Sequence, residues 1–116
     1  MELSASLTFA AEVLEYLIKV KGLSKAELAR RSNLSESTVR RACSRTHYLR
    51  PSRNSLIAMC FALELSVDEK NILLDIFFPE ERAYDQLLAA NYSVLAANEK
   101  LHEYGYDLLG GECEKT

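Results

Sequence analysis

The sequence predicts an all-α protein, with five helices over residues 1–78 and a two-helix extension over residues 79–116. Three observations carry this. Apolar residues recur three and four positions apart along the chain, and nowhere do polar and apolar residues alternate with a period of two. Ser residues stand immediately before the apolar-periodic stretches, twice with Glu three positions later, as helix starts require. Gly22, Asn33, Pro51, Pro79 and Gly105 fall where those stretches end. With 116 residues, 48% hydrophobic and 27% charged, the chain has the size and composition of one compact domain with a small helical appendage.

The elements follow in order. Phe9, Val13, Tyr16, Leu17 and Val20 share one stripe of a helix from about Thr8 to Lys21, which Gly22 ends. Ser24-Lys25-Ala26-Glu27 is a capping box that opens a short helix to about Ser32, with Leu28 and Ala29 inward. Asn33 stands at a sharp turn, where its side chain tolerates the left-handed conformation, and Leu34 plugs that turn. Ser35 caps a third helix, Glu36 to about Ser44, with Val39, Ala42 and Cys43 inward and Ser37, Arg41 and Ser44 on the opposite face, Arg40 flanking them. A polar loop runs to Pro51, and Ser52 caps a fourth helix that buries Leu56, Met59, Cys60 and Leu63.

Ser66-Val67-Asp68-Glu69 is a second capping box, opening a fifth helix with Ile72, Leu73, Ile76 and Phe77 as its apolar positions. Pro79, Glu80 and Glu81 make a good start for a sixth helix to about Ala90, since Pro suits the first position and acids suit the positive end of the dipole. Ser93 caps a seventh, which brings Val94, Leu95, Asn98, Leu101 and Tyr104 near one another and stops at Gly105. The tail beyond Leu109 is expected to fray.

Several function classes are excluded. The longest strongly apolar stretch, Leu56 to Leu63, is far short of the roughly 20 residues that cross a bilayer. Glu2 stands where a secretory signal carries Lys or Arg, so a cytoplasmic protein is expected. Cys43, Cys60 and Cys113 are widely spaced and odd in number, which indicates neither a disulfide framework nor a zinc site; Cys43 and Cys60 read as small buried hydrophobes. No metal and no cofactor is expected. There is no phosphate-cradling Gly loop and no H-E-x-x-H, and His47 and His102 lie in different segments without a nucleophile constellation, so no enzyme is expected. The acid pairs Asp68-Glu69 and Glu80-Glu81 are explained by helix starts.

The net charge of −3 and pI near 5.4 conceal a segregation. Between Lys19 and Arg53, ten basic residues (Lys19, Lys21, Lys25, Arg30, Arg31, Arg40, Arg41, Arg45, Arg50, Arg53) oppose only Glu27 and Glu36, a net of +8. The remaining four basic and fifteen acidic residues give −11. Such an asymmetry is what an electrostatic footprint for phosphate looks like in an acidic protein, although an ordinary solvated face has the same composition.

The stretch from Ser24 to Arg41 resembles the helix-turn-helix of the Cro and phage-repressor (XRE) family, with matches at Leu28-Ala29, the turn residue Asn33, the apolar Leu34, Ser35 and Val39. Arg50-Pro51-Ser52, then Leu56, Ile57 and the ending Ala62-Leu63-Glu64-Leu65-Ser66, is similar to that family's fourth helix and its exit. The resemblance implies a five-helix lambda-repressor-like domain binding double-stranded DNA, the helix over 36–44 entering the major groove. It implies base readers at Glu36, Ser37, Arg40 and Arg41, of which Arg41 points most directly outward. Lys25, Ser35, Arg45, Arg50 and Arg53 then suit phosphate contacts, and Arg30 and Arg31 a solvated face. His47 and Tyr48 either bond phosphate or pack over a core edge.

Two departures stand out. The family often has Gln at the start of both motif helices, where this chain has Lys25 and Glu36, and Asn33 replaces the usual turn Gly. Lys25 can still meet a phosphate. Glu36 either accepts from cytosine N4 or simply favours the helix N-terminus.

The expected function is therefore a bacterial or phage transcriptional regulator, a repressor on this reading, on a short double-stranded operator. A symmetric homodimer follows from physics, because one small module rarely reaches specific affinity alone. Tyr84, Leu87, Leu88, Leu95, Leu101, Leu108 and Leu109 offer more apolar surface than two helices hide, so the C-terminal helices either dimerise or cap the core. The rival is a protein-interaction module on the same scaffold, an antitoxin or phage accessory factor whose acidic part binds a basic partner.

Overall fold

The computed structural model describes residues 2–110, and within them there are seven helices and no strand. They are α1 (Glu2–Val20), α2 (Lys25–Ser32), α3 (Glu36–Ala42), α4 (Arg53–Ala62), α5 (Val67–Phe77), α6 (Pro79–Ala89) and α7 (Val94–Tyr104). Among the described residues no helix is long and apolar enough to cross a membrane. The chain divides into two compact units between Phe77 and Phe78. Cys113 and the tail past Gly110 lie outside the described residues.

The first unit has one core. Leu14, Leu28, Val39, Leu56, Met59, Leu63, Leu73 and Phe77 are fully buried, each apolar side chain contributing about 1.5–3 kcal/mol. α2 packs on α3 and α4, and α5 packs on α4 and α1. Local chemistry sets the ends: Ser24, Ser35 and Ser52 each accept from the amide three residues on, and each sits in extended backbone, as an N-cap does. The box at Ser66 closes both ways, its amide donating to Glu69 Oε1 at 2.8 Å while its hydroxyl accepts from the Glu69 amide at 3.1 Å. At Ser24 it closes one way, because the Glu27 carboxylate is drawn to Arg31, 2.9 Å away.

Three inward faces differ from expectation. α1 begins well before Thr8 and buries Ala10, Ala11, Leu14 and Ile18, leaving Phe9, Tyr16 and Val20 exposed. Ala10, Ala11, Leu14 and Ile18 are themselves three and four residues apart, so they form a second stripe beside the bulkier one, and this stripe is the one the fold buries. On α5, Leu74 is buried and Ile72 exposed, since so many apolar residues there fit either of two adjacent faces. α4 follows expectation throughout, with Leu56, Met59, Cys60 and Leu63 buried.

The second unit is a helix pair. Ala83, Leu87, Ala97 and Leu101 form its core, with Tyr84 and Tyr106 packed on them. Pro79 opens α6, and Gly105, at a φ of 82°, closes α7 in the left-handed region that glycine enters at least cost. Helical spacing puts Val94, Leu95 and Tyr104 on the inner side of α7; they are exposed, and Ala97 takes their place. Asn98 serves the backbone rather than the core. Its Oδ1 accepts from the Leu109 amide at 2.7 Å and its Nδ2 donates to the Leu109 carbonyl at 3.2 Å, tying the chain after α7 back to the helix.

Candidate nucleic-acid interface

The turn between α2 and α3 is built by three residues. Asn33 takes φ 58°, ψ 40°, the left-handed cap its short amide tolerates. Leu34 then donates its amide to Ala29 O at 2.9 Å, and Ser35 starts the next helix by accepting from the Thr38 amide at 3.2 Å. Val39 and Ala42, with the cap residue Cys43, fix α3 against the core. Glu36, Ser37, Arg40 and Arg41 are consequently all exposed on its free side.

Burial pushes the Cys43 thiol up to about 11, so it is uncharged at neutral pH and acts as a core hydrophobe. α3 is shorter than expected, ending at Ala42. Ser44 does not extend its outer face; the hydroxyl accepts from the amides of Thr46 and His47, at 3.2 and 2.8 Å, and turns the chain into the loop. A Ser hydroxyl that offers the backbone an alternative to the helix ladder accounts for the early end.

The basic residues are not left bare. Arg45 Nη2 meets Glu12 Oε2 at 2.6 Å and Lys25 Nζ meets Glu15 Oε1 at 3.0 Å, both acids lying on α1. The hydrogen bond from Lys25 holds the Glu15 carboxyl below the usual range. Arg40 donates from Nε to Glu36 Oε2 at 2.7 Å and from Nη2 to the same oxygen. Arg31 and Arg30 pair with Glu27 at 2.9 and 3.6 Å. Arg50 donates from Nη1 to the Phe77 carbonyl at 3.1 Å, a bond that fixes the α3–α4 loop against the end of α5, and Arg53 begins α4. Arg41 has no ion pair among the described residues, and its side chain stands in solvent.

Sequence reasoning missed Glu12 and Glu15, because they precede the basic window in the chain and join it only in space. Their spacing of three on one helix is the signal available, since it places both on one side of α1. Ser35 carries a capping load, and its Oγ also lies 3.2 Å from Ser37 Oγ and 2.8 Å from Thr38 Oγ1. Tyr48 takes the packing alternative: its hydroxyl is buried with no hydrogen-bond partner among the described residues, and burial pushes it up to about 12. His47 is exposed in the same loop, with Nδ1 2.9 Å from Thr46 Oγ1.

What the surface offers is one exposed helix with two guanidiniums, a carboxylate and a Ser, flanked by Lys25 at the start of α2 and Arg45 in the following loop. Planar donor forks of this kind suit guanine edges and phosphates. A family model described as a Cro/C1-type HTH DNA-binding domain matches residues 13–71, from the middle of α1 into α5. No curated protein and no solved structure matches the chain.

Proposed function

The chain belongs to the Cro/C1-type helix-turn-helix DNA-binding family, and from that premise we propose that it is a transcriptional regulator, acting as a repressor, which reads a short operator by laying α3 in the major groove. The observation that carries this reading is the exposed face of α3, where Glu36, Ser37, Arg40 and Arg41 stand together on a helix anchored by Val39 and Ala42. Arg41, free of any ion pair among the described residues, is the leading reader, because it points most directly away from the core and all five of its N–H groups are open to guanine or phosphate. Lys25, Ser35, Arg45, Arg50 and Arg53 set the register by phosphate contact, Lys25 and Arg45 by exchanging the carboxylates of Glu15 and Glu12 for phosphate.

Two copies bind together through α6 and α7, which doubles the contacts and places two α3 helices about one DNA turn apart. The protein works in the cytoplasm, where DNA is reached, and it binds rather than catalyses. The rival function, an interaction module with a basic protein partner, has in its favour the net −11 outside the basic window. A salt titration of binding to random duplex separates the two. A DNA binder loses affinity steeply as counterion release weakens, whereas no binding at low salt overturns the reading in favour of the rival.

A further inference from the structure

We propose that Glu36 and Arg40 act as one reader of a single G·C base pair, the guanidinium taking guanine and the carboxylate taking the paired cytosine. The inference rests on the reading of α3 as the groove helix and goes beyond it by naming the base pair. The two side chains are four residues apart, one turn along α3, and both are exposed. Arg40 gives Nε and Nη2 to a single oxygen, Glu36 Oε2. Of the five guanidinium N–H groups, that contact uses the two on the edge beside Nε.

The end-on edge keeps one proton on Nη1 and one on Nη2, side by side, and this is the fork that fits guanine O6 and N7. Glu36 Oε1 accepts from no group among the described residues, so it remains an open acceptor on the carboxylate that Arg40 holds on its Nη2 side. Read across, the pair therefore presents donor, donor, acceptor. The major-groove edge of G·C presents N7 acceptor, O6 acceptor and N4 donor, which is the complement position by position. An A·T pair presents acceptor, donor, acceptor and clashes twice: adenine N6 faces a donor, and thymine O4 faces the carboxylate. The ion pair adds two things. It compensates the charge of a carboxylate close to phosphate, and it holds Arg40 in one geometry, so that less side-chain freedom is lost on binding.

The test uses the full chain and duplexes enriched from a random pool. The enriched duplexes should share a G·C pair at a fixed position. There, 7-deazaguanine, which lacks N7, and N4-methylcytosine, which blocks the outward N4 proton, should each weaken binding on the order of tenfold. In Glu36→Ala the methylcytosine penalty should vanish while the deazaguanine penalty stays. In Arg40→Lys, which keeps charge without the fork, the guanine penalty should fade.

If both modified bases are tolerated at every G·C pair of the enriched duplexes, the paired reader is overturned by the unaltered protein, whatever the variants do. If Glu36→Ala and the wild type enrich the same sequences with the same methylcytosine penalty, Glu36 reads nothing and the proposal fails. Failure to enrich any duplex overturns the DNA-reading function itself, so the two failures are told apart.

Discussion

The two units spend their apolar residues differently. In the first, apolar side chains from all five helices converge, and Leu14, Leu28, Val39, Leu56, Met59, Leu63, Leu73 and Phe77 lose essentially all contact with water. In the second, two helices bury only Ala83, Leu87, Ala97 and Leu101, while Leu95 stays 81% exposed, Leu88 74% and Val94 59%. A pair of short helices has too little interior to hide its own leucines, which is why small scaffolds look outward for stability. The charges part in the same way: the window from Lys19 to Arg53 is +8, and the segment from Pro79, with three basic residues against eight acids, is −5. The first unit carries the basic charge that suits phosphate. The other carries acidic charge and exposed apolar surface, and this is the ground on which dimerisation is proposed for it.

The sharpest way to break that contrast is to separate the units. Ending the chain at Phe78 should leave a helical monomer that keeps its base preference within one half-site, while affinity for the full operator falls on the order of a thousandfold, as linked binding is lost. Sedimentation and operator titration of both lengths check it. A full-length protein that is already a monomer, or a shortened chain that unfolds, would show that residues 79–116 cap the core instead. Next in size is a comparison of leucines. Leu56→Ala in the first core should cost about 2–5 kcal/mol in denaturant unfolding, whereas Leu88→Ala should change monomer stability by only about ±0.5 kcal/mol and act on association. Equal losses at the two sites would erase the contrast.

Within the basic unit, Arg41→Ala should weaken specific binding by about 1–3 kcal/mol and relax preference at one base position, with unchanged thermal unfolding. The same loss on random duplex would assign Arg41 to phosphate. Lys25→Ala should weaken binding to all sequences alike and reduce the salt slope by about one unit, or by less to the extent that Glu15 already holds the lysine. Lys25 leaves the footprint if the slope does not move.

Legibility in the sequence does not divide along the same line as the units. Helix starts and stops can be read because they depend on residues within one turn: Ser35 as a cap, Asn33 in the left-handed region and Pro79 at a first helical position are local chemistry. Inward faces can be read where apolar residues form a single stripe, as on α4 with Leu56, Met59, Cys60 and Leu63. Periodicity misleads on α1, α5 and α7, where apolar residues sit on two adjacent faces and the fold buries the one that carries Ala10, Ala11, Leu74 or Ala97. The exposed face of α3 follows from periodicity. The carboxylates that occupy its neighbours do not, because Glu12 and Glu15 reach Arg45 and Lys25 only through the tertiary fold.

The most local predicted effect tests what holds the second unit together. Asn98 is legible in the sequence only as a member of the α7 stripe, yet it makes the two hydrogen bonds that tie Leu109 back to that helix. Tyr106, which packs on the small core and stands edge-on to Tyr104 with ring centroids 6.1 Å apart, lies in the tied segment. A first unit sealed by leucines has no need of such a clasp; a two-helix unit with four core residues does. Asn98→Ala removes a donor and an acceptor together, and at a net contribution near 1 kcal/mol per exposed bond or less, the loss should be about 1 kcal/mol and confined to residues 106–110. Amide exchange should then show protection at Leu109 falling several-fold, with the amides of α2 and α4 unchanged, because the clasp belongs wholly to the second unit. Protection at Leu109 that survives Asn98→Ala would mean that the tail is held by burial of Tyr106 rather than by the amide, and the second unit would then be apolar in its support after all.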